Sequence, residues 1–117
     1  MITLKETKEK ISAEPHWWKV AFFDFVDDFR RHKNLTAVSE PFEQKDDKID
    51  ALLASTAEFL CDESNLDAPD WLEKIPASRE SFFVSGLENL KATAIVESPL
   101  RFRIRKVFVS ENFLNRV

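Results

Sequence analysis

Pro15-His-Trp-Trp-Lys-Val-Ala-Phe-Phe-Asp-Phe-Val-Asp-Asp-Phe-Arg-Arg-His-Lys33 is the stretch whose reading decides the fold. Trp18, Phe22, Phe25 and Phe29 recur at helical intervals, so one face of a helix carries all four. Trp17, Ala21 and Val26 widen that face. Pro15 suits the first helical turn, where a missing N–H costs nothing. Arg30, Arg31, His32 and Lys33 close the stretch with positive charge at the negative end of the helix dipole. The pattern predicts a helix over 15–33 that buries an aromatic stripe.

Working outward, residues 3–12 predict a short helix, since Thr3 and Glu6 have capping-box spacing. Ile2, Leu4 and Ile11 are its only large apolar groups, so it is expected to dock loosely. Residues 34–47, with Pro41 and a polar run, read as a loop. Residues 47–62 predict a second amphipathic helix, capped by Asp46 or Asp47. Its apolar stripe is Ile49, Leu52, Leu53, Thr56 and Leu60, flanked by Ala57 and Phe59. A polar linker from Asp62 to Asp67 leads to a short turn of helix over 69–74, with Trp71 and Leu72 as its apolar side. Ser85 and Glu88 mark the start of a helix over 86–97 with Leu87, Leu90, Ala94 and Ile95 inward. Ser98-Pro99 stops it.

The expected architecture is therefore one all-α domain over 1–117, a compact bundle of four to five helices with a partly extended C-terminal segment. The composition agrees. The chain has 117 residues, 44% hydrophobic and 32% charged, with 11 Phe, 3 Trp and one Gly. That is enough apolar material for a modest core, and too little glycine for phosphate-cradling loops or tight primed turns. Cys61 is the only cysteine, so no intramolecular disulfide forms and a cytoplasmic setting is expected. No run approaches a membrane span, and the N-terminus lacks the apolar core of a signal peptide.

Charge is unevenly placed. Residues 99–117 carry five basic side chains and one acidic, whereas the whole chain has 17 basic and 21 acidic and a net charge of −4. From Arg101 to Arg105 basic and apolar residues alternate, and Lys106 and Val107-Phe-Val109 follow. Alternation of this kind predicts an extended segment with Phe102 and Ile104 inward and Arg101, Arg103 and Arg105 outward. Three readings compete. The segment folds back onto the acidic body; it docks onto a partner protein; or it contacts nucleic acid, with arginines on phosphates and Phe102 or Phe108 on bases. Folding back is favoured, and docking comes second.

Catalytic and metal readings are weak. Asp24, Asp27 and Asp28 share a helix face, but a solvated face with an Asp27–Arg31 pair explains them. A small hydrolase using Asp24, Asp28 and His32 would need a metal. His16 and His32 lie about 24 Å apart at 1.5 Å per residue, so they cannot share a site in one chain. Cys61, beside Phe59 and Leu60, reads as a small core residue. No cofactor and no catalytic residue is expected.

Three stretches, in this order, carry a resemblance. Asp47-Lys-Ile-Asp-Ala-Leu-Leu-Ala-Ser-Thr-Ala-Glu-Phe-Leu60 leads to Ala68-Pro-Asp-Trp71. Phe82-Phe-Val-Ser-Gly-Leu-Glu-Asn-Leu90 leads to Glu97-Ser-Pro99, and Phe102-Arg-Ile-Arg-Lys-Val-Phe-Val109 follows with Asn112 and Leu114. Residues 46–117 resemble a family of small, uncharacterised bacterial proteins with a Val-Glu-Ser-Pro stretch followed by Phe-Arg-Arg-Arg-Asn-Ile-Phe-Val. Arg103 and Arg105 match it, whereas Ile104 and Lys106 stand where the family has Arg and Asn. The resemblance implies genes set beside those for nucleotidyltransferase-like proteins, an arrangement like that of toxin–antitoxin pairs. The expected function is then a non-catalytic, antitoxin-like protein-binding module. Its partner-binding residues would be Arg101, Phe102, Arg103, Arg105, Lys106 and Phe108, and a homodimer is a further expectation. The alternative is a nucleic-acid-binding regulator.

Overall fold

The computed structural model describes residues 1–85, 91–110 and 113–115. Six α-helices run through the described residues: α1 (Leu4–Ala13), α2 (Trp18–His32), α3 (Asp47–Glu63), α4 (Asp70–Glu73), α5 (Lys91–Glu97) and α6 (Leu100–Arg103). Single 3-10 turns cover Pro15–Trp17 and Leu35–Val38. Two short strands, β1 (Phe82–Phe83) and β2 (Val107–Phe108), pair in parallel with Phe82 opposite Val107. The architecture is the all-α bundle expected, with a C-terminal part that includes the short strand β2.

The local signals act as the chemistry requires. Thr3 and Glu6 form a full capping box, each side chain accepting the other residue's backbone N–H. The Asp46 carboxylate accepts the N–H groups of Lys48 and Ile49 at the start of α3. Lys33, Asn65 and Lys106 take left-handed backbone angles where α2, α3 and α6 end. Glycine usually fills such positions, because a Cβ there costs roughly 1 kcal/mol.

The aromatic stripe of α2 packs as predicted: Phe22, Phe25, Val26 and Phe29 are fully buried. Trp17 is the exception, 65% exposed. It sits in the 3-10 turn, whose three-residue period puts it out of phase with the helix that begins at Trp18. Trp71 serves packing too: its indole N–H donates to the Val38 carbonyl and its ring meets Phe42 edge-on.

α3 departs from the amphipathic expectation. It is the central helix, buried on nearly all sides, with Asp50, Ser55, Thr56 and Glu58 inside along with the leucines and alanines. α1, α2, α4, α6 and β2 all pack against it. Its buried carboxylates are accommodated because cations from distant segments reach them, while the Thr56 hydroxyl donates to the Leu52 carbonyl. Lys8 of α1 lies 2.9 Å from Asp50, both nearly inaccessible, and also donates to the Glu43 carbonyl. The N-terminal helix, expected to dock loosely, is thus held by Lys8 and by the buried Leu4 and Ile11.

The chain start is also clamped. Asp28 accepts the Ile2 N–H at 2.7 Å, and His32 lies 3.4 Å from the same carboxylate. The Ile2 bond holds the Asp28 carboxyl below its ordinary value; burial opposes this, and the charges of His32, the α-amine and Arg31 assist. A lowered carboxylate contributes stability above its unfolded pKa, near 4, and loses it as pH falls through the lower folded value. Asp28→Asn is therefore expected to be less stable than the parent at pH 7, with the gap closing below about pH 4. Thermal unfolding of both proteins across pH 3–7 checks this, and a constant gap would contradict it.

In the segment after β1, Ala94 of α5 is buried, but Ile95, expected inward, is 47% exposed. Gly86, Leu87, Glu88 and Leu90 lie outside the described residues.

Candidate functional site

The C-terminal segment is helical where alternation predicted an extended run. Pro99 both stops α5 and starts α6: its carbonyl accepts the N–H groups of Phe102 and Arg103. The side chains from Leu100 to Arg105 then follow a period of three to four. Phe102 is fully buried and Arg105 is 4% exposed, while Leu100 and Ile104 are exposed, 64% and 56%. Two faces are thus exchanged relative to the expectation. Ile104 points out and Arg105 points in, because a helical turn puts Phe102 and Arg105 together and Leu100 and Ile104 together.

Arg105 reaches the middle of the bundle. Its guanidinium forms an ion pair with Glu58 of α3. It also donates to the Ile75 carbonyl at 3.1 Å and the Leu72 carbonyl at 2.7 Å. All three sides of the guanidinium fork are therefore engaged, a geometry lysine could not match. Arg101 lies on the same side, half exposed. It grips Asp62 through Nε at 2.9 Å and Nη2 at 3.3 Å, and Nη1 is 3.7 Å from Glu58. The Asp62 contact raises the pKa of Arg101 further.

Ser98 ties the segment's two ends. Its hydroxyl accepts the Val109 N–H at 2.8 Å and lies near the Val109 carbonyl, while also contacting the Ala94 carbonyl. Phe108 is half-buried and stacks on Phe83 at 5.0 Å. Farther on, the Leu114 carbonyl accepts from Arg30 at 2.6 Å, and Phe113 packs against Phe22 and Phe23. Phe102, Arg105, Val107, Val109 and Leu114 thus bring this segment into the core.

Of the six residues expected to contact a partner, Phe102 and Arg105 are buried in the bundle, and Arg101 is committed to Asp62. Phe108 is partly covered. Arg103 and Lys106 are exposed. The face that remains open on α6 is Leu100, Arg103 and Ile104, with Val96 of α5 also 78% exposed nearby in the chain. A shallow depression of about 730 Å³ beside it is lined by Phe59, Asp62, Glu63, Pro99, Leu100 and Arg101. Leu100 was missed as a surface residue because the extended reading began at Arg101. The signal for it was Pro99 at the start of a turn, with Leu100 and Ile104 four residues apart.

Cys61 is buried, and burial, followed by the neighbouring Asp62 and Glu58, pushes its thiol up to about 11. No group of three or more His, Cys, Asp or Glu side chains that could hold a metal ion occurs among the described residues. Among them no helix is long and apolar enough to cross a membrane. No protein-family model, curated protein or solved structure matches this chain.

Proposed function

We propose that this chain is a non-catalytic, cytoplasmic protein-binding module that contacts its partner through the open face of α6. One observation carries the reading: Leu100, Arg103 and Ile104 share a single exposed helical face on an otherwise acidic protein. An apolar pair around a cation, with Lys106 adjoining, fits a partner surface that is apolar at its centre and acidic at its edge. The resemblance noted above points to an antitoxin-like role toward a nucleotidyltransferase-type protein, whose metal-binding carboxylates would supply the acidic edge. Nucleic-acid binding is less well supported, since Arg101 and Arg105 already engage Asp62 and Glu58.

The test is co-expression with the product of the adjacent gene, which this proposal expects to be nucleotidyltransferase-like, followed by co-purification and titration. Ile104→Glu and Arg103→Glu are each expected to weaken the complex at least tenfold, about 1.4 kcal/mol, with an unchanged melting temperature. Absence of a complex, or one indifferent to both substitutions, would sink the proposal.

A further inference from the structure

We draw no further inference here: the strongest candidate, the groove between α1 and the starts of α2 and α3 lined by Ile11, Trp18 and Ile49, carries nothing, because its rim charges Lys8, Lys45 and Asp46 already meet Asp50, Glu43 and the first N–H groups of α3 and nothing in the structure shows what covers it.

Discussion

Arg105→Leu is expected to destabilise the protein by about 3–5 kcal/mol, the range found when one member of a buried ion pair is removed. Most of that cost comes from what remains. Glu58 is 2% exposed and would be left with Arg101, 3.7 Å away and partly in solvent, as its nearest cation. The Leu72 and Ile75 carbonyls would lose their guanidinium donors as well. The double variant Glu58→Leu/Arg105→Leu should recover part of the loss, because an apolar pair removes the buried charge altogether. The two carbonyls would still lack donors, so recovery stays incomplete. Urea unfolding of the two single variants and the double measures the coupling. Additive losses would show that the two side chains do not act as a pair.

Lys8→Met is expected to be nearly as damaging at neutral pH, about 3–5 kcal/mol by the same reasoning. It differs in its pH dependence. Burial already pushes the Asp50 carboxyl above its ordinary value, and the hydrogen bond and charge of Lys8 pull it back. Without Lys8 the carboxyl rises further. A carboxyl raised in the folded state contributes stability that is full below its unfolded pKa, near 4, and is lost as pH rises through the folded value. The variant's deficit against the parent should therefore be largest near pH 7 and shrink as pH approaches 4. Denaturant unfolding of both proteins at pH 7, 6, 5 and 4 would reveal this. A deficit that grows on acidification would show that Asp50 is not the group left stranded.

These two pairs also explain which parts of the fold the amino-acid order reveals. The stripe of α2 is legible because Trp18, Phe22, Phe25 and Phe29 repeat over three turns, long enough for the helical period to stand apart from any other. The capping box at Thr3 and Glu6 is legible because both partners are three residues apart. α3 is not legible as the central helix. Asp50 and Glu58 make one side of it look solvated, and the cations that neutralise them come from Lys8 and Arg105, the latter 47 residues away. No local pattern contains that information.

The C-terminal segment fails for a different reason. Over Arg101 to Arg105, alternation and a helical turn assign different faces to only a few side chains, and five residues are too short to separate the two periods. Pro99 decided it, by stopping one helix and starting another. The assignment of the segment to the acidic body was legible from charge alone, since Arg101 and Arg105 meet Asp62 and Glu58. Which arginine faces inward was not. The exposed surface of the segment is accordingly the face of Leu100, Arg103 and Ile104 rather than the whole basic run. In the Val96-Glu-Ser-Pro99 and Phe102-Arg-Ile-Arg105 stretches, Ser98, Phe102 and Arg105 bind the segment to the core.

The division of the basic run into an inward and an outward arginine is the claim on which the rest depends. Urea unfolding of Arg103→Leu and Arg105→Leu, measured side by side at pH 7, tests it most directly. Arg103→Leu is expected to stay within about 0.5 kcal/mol of the parent, as an exposed substitution does, and Arg105→Leu to fall several kcal/mol below it. Equal losses, or a larger loss for Arg103→Leu, would contradict the account.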